Sequence, residues 1–254
     1  MTTSQACINK FSDLTVVEKA KFLGLGKRRT ISLAQTGTLP TRPGLATAAV
    51  LTDSQVPDWS AILPIVKHQG LCGACWAFAA SGMAEAGHYI NTQEIISLSE
   101  KQQVDCNLQN SACAGGSYDN AFTYIINTGL TTTEVYPYVA QNGTCPAPLP
   151  AFASKLQSYV PLATNDEVAM LQALANGPIA VAVCASNDWF DYTGGVFSSD
   201  QCGGDLNHAV IVVGAGTDSE SNEPYWLIRN SWGGTWGEAG HIRLLRGTTV
   251  GGRG

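Results

Sequence analysis

The sequence predicts an α+β fold, and three observations carry that reading. Capped helical segments occupy the chain up to about residue 175. After Gly177-Pro178 the pattern switches to short runs rich in Val, Ile and aromatic residues, and polar loops of Gly, Ser, Asp and Asn separate those runs. Helices first and strands later give a helical half followed by a sheet half. With 254 residues the chain can build one large domain or two small ones.

Taken in order, Leu14 to Phe22 reads as a short helix ended by Gly24 and Gly26. Residues 27–55 are rich in Thr, Ala, Gly and Pro without a sustained period, and read as a linker or extended segment. Residues 75–90 form a long, mostly apolar helix. Ser99 with Gln102 makes a capping box for a second helix ending near Cys106. Asp119 caps a third, stopped by Gly129, and Asp166 to Ala175 makes a fourth, closed by Gly177-Pro178. The expected strands are Ile179–Val183, Ala209–Val213, Tyr225–Arg229 and His241–Leu245. No repeat of domain size is present.

Composition narrows the function classes. Hydrophobic residues make up 44% and charged residues 13%, values of a folded globular protein, and no apolar run reaches the length of a membrane span. The opening Met1-Thr-Thr-Ser-Gln-Ala lacks the basic and apolar regions of a signal peptide. Residues 1–55 hold seven basic and three acidic residues, net +4, against seven basic and seventeen acidic in the remainder, net −10. A basic arm of this kind suits nucleic acid, and equally suits docking on its own acidic body. Eight cysteines suit disulfides in an oxidising compartment or a set of metal ligands.

The most informative stretch is Gln69-Gly-Leu-Cys-Gly-Ala-Cys-Trp-Ala-Phe78, which admits three readings. A redox Cys-x-x-Cys wants a βαβ setting, which is absent. A zinc site wants a second such pair, whereas Cys106 and Cys113 are not spaced as one. The third is a nucleophile at a helix start, where free N–H groups and the helix dipole favour a thiolate at Cys75. A thiolate needs a partner that later protonates the leaving amine, and His208 heads an apolar strand 133 residues on. Asn230 ends another strand, in Arg-Asn-Ser-Trp-Gly.

These strings together resemble the papain-like cysteine peptidases of the cathepsin L and plant papain type. Further matches are Leu98-Ser-Glu-Lys-Gln-Gln-Val-Asp-Cys106, Cys113-Ala-Gly-Gly116 and Asn230-Ser-Trp-Gly-Gly-Thr-Trp236, so that residues 56–246 are covered nearly continuously. Asn9-Lys-Phe-Ser-Asp-Leu-Thr15 resembles the second half of the family's inhibitory propeptide.

The resemblance implies a two-lobed fold: residues 1–55 a partial propeptide and linker, 56–160 a helical lobe with the nucleophile, and 161–254 a β-rich, barrel-like lobe with the catalytic His and Asn. It implies Cys75 as nucleophile, His208 as imidazolium partner and general acid, Asn230 as the orienter of that ring, and Trp232 as its shield. Gln69 and the backbone N–H of Cys75 would form the oxyanion hole. Gly115 and Gly116 would give a bare edge for an extended substrate, and Ser117, Tyr118, Ala182 and Leu206 the walls of an apolar pocket. The implied disulfides are Cys72–Cys113 and Cys106–Cys145. In the family Cys202 pairs near the C-terminus, where this chain has Gly251-Gly252, so Cys184–Cys202 is the expected third.

The expected protein is thus a monomeric thiol endopeptidase zymogen with a truncated propeptide, acting on peptides or proteins. It needs no cofactor and no metal, binds neither nucleic acid nor membrane, and has its own propeptide and cystatin-like proteins as inhibitors. The expected location is lysosomal, vacuolar or extracellular. A catalytically impaired binding or storage protein, suggested by the missing last strand, and a peptide ligase on the same fold are the rival readings. Glu85-Ala-Gly-His88 and Glu238-Ala-Gly-His241 match a di-iron spacing, but the second lies in a Gly-rich loop and the match is read as coincidence. Asn142-Gly-Thr144 is a glycosylation sequon in a polar loop.

Overall fold

The computed structural model describes residues 11–26, 32–33, 55–163, 166–199, 201 and 205–247. A first helix, α1 (Val16–Ala20), is set by a reciprocal capping box between Thr15 and Glu18. A short strand β1 (Ser32–Leu33) pairs antiparallel with β2 (Val160–Pro161). The long helix α2 (Cys75–Thr92) opens directly on the nucleophile candidate and closes at Gln93 in the left-handed region.

Helix α3 (Glu100–Cys106) starts at Ser99, whose hydroxyl accepts from the Gln102 N–H at 3.1 Å. Gln102 does not reach back to complete a box. Its amide is buried, donating to Tyr124 Oη and Gly129 O and accepting from the Thr131 N–H. Helix α4 (Tyr118–Thr128) is capped by Ser117 rather than by Asp119, because the hydroxyl two residues earlier accepts the Asp119 N–H. Helix α5 (Glu167–Leu174) begins at Asp166, as its side-chain bond to the Ala169 N–H requires.

The second half is a five-stranded sheet in the order β3-β5-β6-β7-β4. Its members are β3 (Ile179–Val183), β4 (Val196–Phe197), β5 (His208–Thr217), β6 (Pro224–Arg229) and β7 (His241–Leu245). All neighbours are antiparallel except β4 with β7. Helix α6 (Asn187–Phe190) and strand β4 lie between β3 and β5 and carry no periodic signal in the sequence.

Strand β3 is buried on both faces, and its two sets of side chains serve two cores. Ala180 and Ala182, with Ala209, Ile211 and Val213 of β5, join the cluster built by α2, α3 and α4. Ile179, Val181 and Val183, with Val210 and Val212, join a second cluster of α5, β6, β7 and the aromatic residues Trp189, Phe190, Trp232 and Trp236. Alanines face α2 because that helix comes very close. A Cβ on its Gly82 would stand 2.4 Å from Ile211 Cδ1. The α+β class is therefore the observed one, and both cores draw on residues from either side of position 160.

Candidate active site

Cys75 is the first residue of α2, and the preceding Ala74 offers no side-chain cap. The free N–H groups of the helix start therefore lie beside the sulfur. The backbone amides of Ala209, Gly24, Trp76 and Cys75 itself pull the thiol pKa downward. Ala209 follows His208 at the head of β5. His208 Nε2 lies 2.8 Å from Asn230 Oδ1, at the end of β6. Asn230 Oδ1 also accepts from the Ser231 N–H at 2.8 Å. Trp232 covers the ring, with centroids 5.0 Å apart and planes 32° apart.

Gln69 is wholly buried beside them. Ser231 Oγ donates to its Oε1 at 2.5 Å, and Ser231 O accepts from its backbone N–H. Tyr138 Oη donates to its carbonyl at 2.8 Å. The carboxamide is thus held by its oxygen, with Nε2 free to serve carbonyls. It serves two, Cys72 O at 2.9 Å and Phe22 O at 3.0 Å.

Phe22 belongs to the N-terminal arm, which crosses this site. Leu25 bridges Gly116 in parallel, with bonds from Gly116 N to Gly24 O and from Gly26 N to Gly116 O, both 2.8 Å. The Leu25 N–H donates to Asn207 O, next to His208. Contact is backbone to backbone: a Cβ on Gly24 would stand 2.0 Å from Gly73 O. Gly115, at φ +118°, faces Gly24 O in the same way. The Gly115-Gly116 edge expected for a substrate is occupied by the chain itself. Upstream, Phe11 and Phe22 insert against Phe190 and Trp232, with centroids 5.5 to 6.1 Å apart. Phe190 and Trp232 stack at 4.4 Å and 10°.

Burial changes the chemistry of the pair. Loss of water pushes the Cys75 thiol up to about 11, against the opposing pull of the backbone amides. It pushes His208 down to about 4, which the Asn230 bond only partly offsets. Both groups are uncharged near neutrality while the arm is seated. Among the described residues His208 Nδ1 has no hydrogen-bond partner.

The expected pocket residues are placed unequally. Leu206 packs partly buried on the first core, beside Leu25 of the arm in the same cluster. Ala182 is buried in β3. Ser117 caps α4, and Tyr118 is a core side chain, 1% exposed, with its ring on Phe122.

Disulfides join Cys72 to Cys113 and Cys106 to Cys145. Cys184 is also disulfide-bonded, while Cys202 lies outside the described residues, as do Cys7 and most of the 27–55 linker. Cys75 is a free thiol. Among the described residues no group of three or more His, Cys, Asp or Glu is placed to hold a metal.

Sequence reasoning missed several contributors. Ser231 sits inside a quoted motif, but nothing linear ties it to Gln69, 162 positions away. Phe190 lies in an unforeseen helix. Behind the site, Lys67 Nζ lies 2.7 Å from both Glu85 Oε1 and Glu100 Oε1, a buried cluster no sequence spacing announces.

A family model described as papain family cysteine protease matches residues 54–252. Fruit bromelain of Ananas comosus is 39% identical over 95% of this chain and 68% of its own length. Cysteine protease 1 of Oryza sativa subsp. japonica is 40% identical over 96% of this chain and 50% of its own. The chain therefore spans from half to about two thirds of the length of these curated relatives. Among solved structures, digestive procathepsin L2 of Tenebrio molitor larval midgut superposes with a TM-score of 0.86 at 31% identity, covering 99% of this chain and 82% of that one. The recombinant stem bromelain precursor gives 0.82 at 35%, covering 99% and 80%. Bromelain of Ananas comosus in complex with the E64 inhibitor gives 0.72 at 40%, covering 78% and 92%.

Proposed function

The chain belongs to the papain family of cysteine proteases, and from that premise we propose that it is an endopeptidase captured in a latent form, its N-terminal arm lying across the catalytic pair. The observation that carries this reading is the convergence on one sulfur. Cys75 stands at a helix start, where the Ala209 amide pulls its pKa downward, and His208, next to Ala209 in the chain, is held by Asn230 at 2.8 Å.

Once the arm leaves and water enters, the desolvation that keeps the pair neutral is relieved and a thiolate–imidazolium pair forms. The thiolate attacks the scissile carbonyl, so that an S–C bond forms and the carbonyl oxygen takes the negative charge. Gln69 Nε2 and the Cys75 N–H stabilise that charge, a service worth roughly 3 kcal/mol per donor. The Phe22 carbonyl now on Gln69 Nε2 supports this assignment. Collapse breaks the C–N bond, the amine leaves with the imidazolium proton, and a thioester remains. Water then attacks the thioester with His208 as base, the S–C bond breaks, the acyl group leaves as a carboxylic acid, and the thiol is regenerated. Asn230 holds the ring in the orientation both proton transfers need.

We assign residues 1–55 as the inhibitory arm, 56–160 as the helical lobe and 161–254 as the β-rich lobe. Peptides and proteins are the proposed substrates, taken as an added strand along Gly115-Gly116, with an apolar side chain toward Ala182 and Leu206. Cystatin-like inhibitors are proposed for the same edge. The proposed location is a lysosomal, vacuolar or extracellular space, where Cys184–Cys202 would be the third bridge.

The test is active-site labelling after arm removal. An epoxide inhibitor such as E64 should modify Cys75 alone, and Cys75→Ala should abolish peptide hydrolysis. His208→Ala should be nearly inert and Asn230→Ala less impaired, since it loosens only the ring's orientation. Labelling spread over several cysteines, or a folded chain that takes no label, would replace the enzyme reading by that of a binding or storage protein.

A further inference from the structure

The sequon Asn142-Gly143-Thr144 is not used by the proteolytic site, and all three residues are exposed. Asn142 Oδ1 accepts the Cys113 N–H at 3.0 Å. Among the described residues its Nδ2 donates to no protein group. One end of the carboxamide is therefore committed, and the end that carries sugar in an N-glycan is free.

The loop around it is fixed from several sides. Lys101 Nζ donates to Gln141 O at 2.8 Å, and the same ammonium pairs with buried Asp105 at 2.7 Å. A Cβ on Gly143 would stand 2.7 Å from both Asp105 Oδ2 and Lys101 Nζ. Cys145 is bonded to Cys106, and Cys113, the Asn142 partner, to Cys72. Two disulfides flanking the sequon imply folding in the oxidising lumen where such sequons are read.

We propose that Asn142 is N-glycosylated, carrying an oligosaccharide rooted on the wall of the helical lobe that also bears Gly115-Gly116. In the transfer, Nδ2 attacks the anomeric carbon of a lipid-pyrophosphate-linked oligosaccharide. A C–N bond forms, the C–O bond to pyrophosphate breaks, the lipid pyrophosphate leaves, and Nδ2 gives up one proton. The amide keeps its Oδ1, so the Cys113 bond survives in the modified protein. The folded state loses nothing, which is why the site is tolerated there.

The experiment places the full chain behind a cleavable secretion leader and imports it into microsomes, with leader cleavage and non-reducing gels reporting entry and oxidation. Endoglycosidase amidase in heavy-oxygen water then marks every sugar-bearing Asn as a labelled Asp. The expected result is one heavy Asp, at position 142, and a single step down in apparent mass. Thr144→Ala and Asn142→Gln should both remove the step, and Thr144→Ser should keep it. Thr144→Ala leaves the Asn142–Cys113 bond intact, so its loss of sugar cannot be laid to misfolding. An imported, disulfide-bonded chain with unmodified Asn142 overturns the proposal, whatever the outcome for Cys75.

Discussion

Gln69 shows how a single side chain is made ready for one task. Its Oε1 is held by Ser231 and its backbone by both Ser231 and Tyr138, so only Nε2 is available to an incoming carbonyl. Gln69→Ala should lower kcat by about 10²–10³-fold with little change in KM, because the donor serves charge that develops in the transition state. Steady-state kinetics on the arm-free enzyme measure this, and a loss confined to KM would remove Gln69 from the oxyanion hole. Lys67 makes the opposite case, a stability residue close to the site. Glu85 and Glu100 converge on its ammonium, and the attraction holds its pKa above the ordinary lysine value although burial pulls downward. Glu100, buried and beside a second carboxylate, is pushed up to about 7. Lys67→Ala would leave two carboxylates facing each other without a cation and should cost roughly 3–5 kcal/mol, read by denaturant unfolding. The placement of Cys75, His208 and Asn230 was readable because helix start, strand head and strand end are each marked locally. Ser231 and Lys67 were not readable, since their partners are assembled only by the fold.

At the scale of elements, α2 and β5 meet through the absence of side chain at Gly82. Gly82→Ala raises helix propensity by about 1 kcal/mol. Yet the new methyl would fall 2.4 Å from Ile211 Cδ1, and overpacking of this kind costs about 1–3 kcal/mol. The variant should therefore be less stable, and Ile211→Val, which removes Cδ1, should restore it in the double mutant. Melting of the four proteins of that cycle tests the contact, and independent, additive effects would refute it. The strands Ile179–Val183 and His241–Leu245 coincide with their sequence-based ranges, because Val and Ile runs between polar loops mark strands whatever surrounds them. β5 runs on to Thr217, past the last Val, since pairing with β6 continues through a bulge that hydropathy does not see. The Asp119 cap failed for a local reason, Ser117 lying two residues earlier with the same capacity.

At the scale of the whole molecule the question is what holds the arm and what releases it. The charge split between residues 1–55 and the rest suggests ion pairs, and the described stretch of the arm, residues 11–26, makes none with the body. Among the described residues, Lys19, Lys21, Asp13 and Glu18 form no ion pair with the body. Glu18 spends its carboxylate on Thr15, and Lys19 lies over the Phe190 ring at 5.4 Å. Aromatic insertion at Phe11 and Phe22 and backbone bonds at Gly24 and Gly26 hold the segment instead. Gly24→Ala should accordingly unseat the arm, since backbone at 2.0 Å cannot give way.

The pH dependence then comes from the pair underneath. Burial in the seated state holds His208 at about 4, below its ordinary 6.5, so whatever part of that loss of water the arm supplies favours seating above 6.5 and fades as pH falls toward 4. Burial likewise holds Cys75 at about 11, above its ordinary 9.0, so the arm's share also fades as pH climbs from 9.0 toward 11. Mutual attraction in the open cleft favours the thiolate–imidazolium pair, which holds one proton as the neutral seated pair does, so it widens the plateau on both sides and weakens the dependence at each end. Latency should therefore be strongest on that plateau, fall on acidification, and respond little to salt as far as residues 11–26 hold the arm, because their described contacts with the body are not ion pairs. Hydrogen exchange of residues 11–26 in the full chain, corrected for intrinsic rates, reads arm opening without relying on catalysis. His208→Gln should abolish the acid-side dependence. Opening that follows salt and is unmoved by His208→Gln would return the arm to the ion pairs its charge suggested.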